Sequence, residues 1–195
     1  MDPTHISKEI IMLTVGNRLS PFQITGVKPG FTQPEQNGES AFETITETSF
    51  AGKWKVIYFF PKTFTFVCPT EIVAYDKLMS EFADRDAVLL GGSTDNVFTH
   101  VAWRAHHEDL SKTQHWAFAD TRRDELSLSG QLGILTPEGV ALRATVIVDP
   151  DNVIQHVTVN NLNVGRNSME ALRVLDACQT DDLCPCNRRV GGETL

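Results

Sequence analysis

Basic charge is scarce in this 195-residue chain, with 17 Lys and Arg against 25 Asp and Glu and a formal net charge of −8. No segment gathers cations into a stripe, and the pairs Arg122-Arg123 and Arg188-Arg189 read as solvated surface charge. Nucleic acid and anionic membranes, which need clustered Lys and Arg, are excluded as partners. Long apolar runs are missing as well. None approaches the ~20 residues that cross a bilayer, and the first ten residues carry charges and a proline where a secretory signal needs a basic end and an apolar core. A cytoplasmic location is expected. Cysteine is limited to Cys68, Cys178, Cys184 and Cys186, and in a reducing compartment so few thiols serve transient, catalytic disulfides rather than staples. Cys68 has Glu71 where a Cys-x-x-Cys dithiol oxidoreductase would carry its second cysteine. Zinc held by Cys178, Cys184, Cys186 and a histidine is not expected either, because Cys184-Pro185-Cys186 is tighter than structural zinc pairs. His106 and His107 adjoin on a helix and point to different faces, so they do not supply a shared metal site. No metal or cofactor is called for.

A hydrophobic content of 41% gives the chain one core. Residues 1–12 read as a flexible arm, 13–178 as the folded domain and 179–195 as a polar, mobile tail. The stretch Lys28 to Ser40, rich in Gly, Pro, Gln and Asn taken together, suits a surface loop or hairpin connection. Trp54 to Phe60 reads as a buried strand that Pro61 stops. After Cys68, Pro69 suits a helix start, and Ile72, Tyr75, Leu78, Met79 and Phe82 recur at helical spacing. Ala87 to Gly91 predicts a second buried strand, and Asp95 to Leu110 a helix capped by Asp95 with Phe98, Val101, Ala102 and Ala105 on one face. This β-α-β-α order predicts an α/β sheet with helices on both faces. His115 to Phe118 suits a short strand, Asp120 to Gln131 a helix, and Ala144 to Val148 a strand turned at Asp149–Asn152 into a hairpin with Val153 to Val159. Asn167 to Cys178 closes the domain as a helix, completing a thioredoxin-like order.

Cys68 is the candidate nucleophile. At a helix N-terminus, unpaired N–H groups and the positive end of the helix dipole favour thiolate over thiol, and thiolate is the reactive form. The plainer alternative, a small buried hydrophobe, fits poorly beside the polar Thr65, Thr70 and Glu71.

Pro61, Thr65 and Cys68 resemble the Pro-x-x-x-Thr-x-x-Cys signature of the peroxiredoxins, extended here by Pro69-Thr70-Glu71. Phe98–Trp103, Arg143–Pro150 and Val164–Asn167 are similar to segments of the typical two-cysteine group. The resemblance runs from about Leu13 to Asn187 and is strongest to the peroxidase component of bacterial alkyl hydroperoxide reductases in its actinobacterial form. It implies a thioredoxin-like fold with N- and C-terminal additions and a thiol peroxidase for which Cys68 attacks hydrogen peroxide or alkyl hydroperoxides. Under the same resemblance Pro61 shields the sulfur, Thr65 donates a hydrogen bond to sulfur or peroxide, and Arg143 is the fixed cation, oriented by a Glu71–Arg166 ion pair. Cys184, from the partner subunit, resolves the Cys68 sulfenic acid; Cys186 is a candidate second resolving thiol, and Cys178 is expected to be packed and silent. The implied reductant is a thioredoxin, a flavoprotein disulfide reductase or another dithiol protein. The implied assembly is a homodimer, further built into a decamer or dodecamer, with ring-based holdase activity as the alternative role. The chain lacks a Gly-Gly-Leu-Gly insertion and a Tyr-Phe tail, so resistance to hyperoxidation is expected.

Overall fold

Strand β5, Trp54–Phe59, fixes the layers. Its Val56 and Tyr58 join one apolar cluster and its Ile57 and Phe59 another, so both faces are buried and the strand must lie inside the sheet. In the computed structural model, which describes residues 12–195, β5 is the fifth of seven strands in the order β4-β1-β7-β6-β5-β8-β9. The others are β1 (Ile24–Val27), β4 (Phe42–Ile45), β6 (Ala87–Ser93), β7 (Trp116–Ala119), β8 (Arg143–Val148) and β9 (Ile154–Asn160). β6 runs parallel to β5 and β7, while β8 pairs antiparallel with β5 and forms the expected hairpin with β9. The Lys28–Ser40 stretch holds a separate small hairpin, β2 (Glu35–Gln36) and β3 (Glu39–Ser40), turned by Asn37 and Gly38 at φ 56° and 80°. Such positive values suit Asn-Gly in a two-residue turn.

Four helices cover one face. Ile72 and Tyr75 of α1 (Cys68–Asp76), Phe82 of α2 (Met79–Ala83), Trp103 of α3 (Val97–His106) and Leu172 and Leu175 of α5 (Ser168–Cys178) pack on Val56, Tyr58, Leu89 and Ile147. The opposite face is covered mainly by non-helical chain, with α4 (Leu128–Gln131) as its one short helix. Helices on both faces were expected from the β-α-β-α order, and Asp120–Gln131 was expected to form one longer helix. The buried Asp120 carboxylate instead accepts Ser129 N–H at 2.6 Å, and Ser127 Oγ accepts Gly130 N–H at 3.1 Å. These side-chain acceptors hold the chain in a loop and start the helix late.

Three further expectations are corrected. Asn96, not Asp95, caps α3 by accepting Phe98 N–H at 2.9 Å; Asp95 accepts Thr63 N–H at 2.7 Å and the Ser93 hydroxyl at 3.0 Å. The buried face of α3 is His100, Val101, Trp103 and Arg104, with Phe98 and Ala105 outside. Arg104 is accommodated because it donates to the carbonyls of Lys28 and His115. Leu110 lies beyond α3 in a 3-10 turn, Leu110–Lys112.

The tail, expected to be mobile, folds back on α5. Arg188 is buried against Asp176 at 2.6 Å, and Leu195 N–H reaches the Leu183 carbonyl at 2.8 Å. Of the N-terminal arm, residues 1–11 lie outside the described residues; Leu13 N–H already bonds the Gln131 carbonyl. Among the described residues no helix is long and apolar enough to cross a membrane.

Candidate active site

Cys68 is the first residue of α1, with Pro69 in the first turn. Its N–H therefore has no preceding carbonyl to reach, and proline removes another donor that would be unpaired there. The loop leading in carries Phe64 at φ 53°, a left-handed conformation uncommon for a bulky residue and typical of functional loops. Cys68 is nearly inaccessible in the floor of a depression lined by Pro61, Thr65, Phe66, Val67, Arg143 and Leu162.

Arg143 opens β8, an interior strand, and its side chain is only 5% exposed. Nη1 lies 3.4 Å from Cys68 Sγ and 2.5 Å from Glu71 Oε2, while Nε donates to the Leu162 carbonyl at 2.6 Å. Glu71 stands three residues after Cys68, so α1 sets both groups toward the same cation. Its Oε1 accepts the backbone N–H and Nε of Arg166, each at 2.8 Å, and Oε2 also accepts Nη2 at 3.0 Å. Arg166 further donates to the Ala144 carbonyl and lies over the stacked rings of Tyr58 and Tyr75. Burial alone would raise the Glu71 carboxyl; the hydrogen bonds and charge of Arg166, with the charge of Arg143, hold it below the usual glutamate value. Glu71 is thus a charged bridge that fixes the guanidinium facing the sulfur.

Pro61, Thr65, Cys68, Glu71, Arg143 and Arg166 are gathered here. Thr65 differs in its bond: the hydroxyl donates to the Lys62 carbonyl at 2.9 Å rather than to the sulfur. Its proton is already placed in this state of the loop. Cys184 and Cys186 lie elsewhere, half-buried and exposed, in a depression with Arg173, Arg188 and Arg189 that shares no lining residue with the Cys68 depression. All four cysteines are free thiols, and Cys178, expected to be packed, is only half-buried. Among the described residues no three His, Cys, Asp or Glu side chains gather as a metal site requires.

Sequence reasoning missed the Leu162 carbonyl, the Phe64 conformation and the Tyr58–Tyr75 platform. A backbone acceptor leaves no mark in composition. The aromatic pair had a signal in two tyrosines, each at a position that reads as core.

The model of the AhpC/TSA family matches residues 24–157. The chain is 48% identical over 187 residues to alkyl hydroperoxide reductase C of Mycobacterium tuberculosis, covering 94% of each chain. It is 45% identical over 186 residues to the protein of that name from Mycolicibacterium smegmatis, again covering 94% of each. Among solved structures, Mycobacterium tuberculosis AhpC superposes with a TM-score of 0.80 at 47% identity, covering 90% of this chain and 98% of that one.

Proposed function

The chain belongs to the AhpC/TSA family and is a thiol-dependent peroxidase, in which we propose that Cys68 is the attacking thiol. The observation that carries this reading is the Arg143 guanidinium at 3.4 Å from its sulfur, held in a buried bridge with Glu71.

The Cys68 thiolate attacks one peroxide oxygen, the O–O bond breaks, and the departing oxygen takes a proton to leave as water or an alcohol. Cys68 becomes a sulfenic acid. Arg143 holds the thiolate and the polarised peroxide oxygens in one planar fork, and a placed donor of this kind is worth about a hundredfold in rate. Thr65 turns its hydroxyl from the Lys62 carbonyl toward the peroxide, and Pro61 keeps water from the sulfur. Phe66, which is 93% exposed, with Val67 and Leu162 gives the depression an apolar rim. Such a rim suits alkyl hydroperoxides as well as hydrogen peroxide.

Cys184 of the partner subunit then attacks the sulfenic sulfur, hydroxide leaves and takes a proton, and an intersubunit disulfide remains. The separation of Cys184 from the Cys68 depression within one chain supports resolution between subunits. Cys186 is the second candidate for that step. A dithiol protein, such as a thioredoxin or a flavoprotein disulfide reductase, restores both thiols. The dimer so required is the unit of a larger ring of five or six dimers.

Non-reducing electrophoresis after one equivalent of peroxide, with each cysteine replaced in turn, tests this reading. A covalent dimer lost in both Cys68→Ser and Cys184→Ser is expected. A dimer that survives Cys68→Ser overturns it.

A further inference from the structure

Two of the four cysteines, Cys178 and Cys184, meet at the C-terminal end of α5. Cys178 is the last residue of that helix and is half-buried. The chain returns so that Cys184 Sγ sits 3.4 Å from Thr180 Oγ1 and 3.7 Å from the Ala177 carbonyl oxygen. Thr180 Oγ1 itself donates to that carbonyl at 2.9 Å. Cys184 is therefore seated on the turn that Cys178 closes. Burial pushes the Cys178 thiol up, and charge on Cys184 pushes it further, in keeping with the place of Cys184 against the residues on either side of Cys178. Cys186, by contrast, is exposed and separated from Cys184 by Pro185 alone. A Cys184–Cys186 link would close on one residue with a fixed φ, whereas the segment from Cys178 to Cys184 already folds back on itself.

Resting on the peroxidase reading above, we propose that Cys178 is a further redox thiol that takes Cys184 out of its disulfide with Cys68. The Cys178 thiolate, its proton released to solvent, attacks the Cys184 sulfur. The Cys68–Cys184 bond breaks, a Cys178–Cys184 bond forms within one chain, and the electron pair leaves on Cys68, whose thiolate departs beside Arg143 of its own subunit. One thiol and one disulfide enter the exchange and one thiol and one disulfide leave it, with no added oxidant. The consequence is that the subunits uncouple and Cys68 is restored before any reductant arrives, while the oxidising equivalent waits in the tail beside Arg173 and Arg189. Because attack requires the thiolate of a thiol pushed up by burial, the exchange accelerates about tenfold per pH unit above neutrality.

Two arms separate this proposal from the reading it rests on. The first uses the full chain carrying Cys68→Ser and Cys186→Ser, so that only Cys178 and Cys184 remain, treated with one equivalent of an aromatic disulfide that releases a coloured thiolate. The proposal expects two coloured thiolates per reagent, faster release at higher pH, and a monomer lighter by two hydrogens with no adduct; adding Cys178→Ser should leave one thiolate and a stable adduct on Cys184. A stable adduct with Cys178 present overturns the exchange. The second arm gives the wild-type chain one equivalent of peroxide and follows its disulfides by peptide mapping. A Cys68–Cys184 link that gives way to Cys178–Cys184, but persists in Cys178→Ser, supports the proposal; a link that persists in both overturns it. Closure in the first arm with no Cys68–Cys184 link in the second overturns the peroxidase reading of Cys184, and the exchange as a step of turnover with it.

Discussion

Arg143 donates to the sulfur of Cys68 from the same nitrogen that bonds Glu71, at 3.4 Å and 2.5 Å. One guanidinium corner thus joins the reacting atom to a buried carboxylate, and the Leu162 carbonyl holds the other side of the fork. The cation cannot swing away without breaking its bonds to the Glu71 carboxylate and the Leu162 carbonyl. This rigidity is what a peroxide needs, since donors fixed before the reaction require no reorganisation during it.

Arg143→Gln should therefore lower kcat/KM for hydrogen peroxide by about a hundredfold or more, and Arg143→Lys should recover only part of it, because an ammonium lacks the planar fork. Initial-rate peroxide consumption with a dithiol reductant measures both. A glutamine variant within about threefold of wild type contradicts the role.

Thr65→Val should reduce the same rate constant by about tenfold or more, while Thr65→Ser should stay near wild type, since the proposed contribution is the hydroxyl alone. The ground-state bond to Lys62 will also be lost in the valine variant, so thermal unfolding is measured alongside. A rate that follows the change in Tm in both variants would assign Thr65 to the loop rather than to the peroxide.

Glu71→Gln leaves two buried guanidiniums sharing a neutral partner, and should cost about 3–5 kcal/mol of stability. The carboxyl lies below its usual value in the folded chain, so the unfolded chain binds its proton first. The contribution is complete above about 4.5, the ordinary glutamate value, and fades as pH falls through the lower folded value. Urea unfolding should show a large difference between wild type and variant at neutral pH that narrows in acid. A difference that stays constant down to the acid limit would contradict the bridge.

His100 is fully enclosed beside Ser93 and the Phe60 ring, and burial lowers it to about 4, against an opposing pull from Asp95. The unfolded chain takes up this proton near 6.5 while the folded chain refuses it until about 4. Stability is lost progressively across that window as pH falls, by about 3 kcal/mol from this one group. In His100→Asn the slope of unfolding free energy between these limits should drop by about 1.4 kcal/mol per pH unit. An unchanged slope would mean that the imidazole is protonated in place.

Much of the site was legible because the motif residues act through side-chain chemistry and α1 sets their spacing: Cys68 and Glu71 needed only the helical repeat to share a face. Strand β5 was equally plain, since the bulky apolar run Val56–Phe60 ends at Pro61 and suits the sheet interior. What sequence concealed depends on distant backbone. The buried face of α3 includes Arg104, which reads as solvent-facing until the Lys28 and His115 carbonyls are in place to receive it. Asp120–Gln131 has only Leu126 and Leu128 as large apolar residues, and Asp120 and Ser127 capture N–H groups of its last turn. The tail was misjudged for a similar reason: Arg188 looks like surface charge, and only the fold brings Asp176 within 2.6 Å of it.

The most direct test uses the full chain with Cys178, Cys184 and Cys186 replaced by serine, given one equivalent of hydrogen peroxide and then a trapping agent selective for sulfenic acid. The account predicts one added trap per chain, located by peptide mapping at Cys68, formed at least about a hundredfold more slowly when Arg143→Gln is added. Peroxide consumed with Cys68 still a free thiol would contradict it.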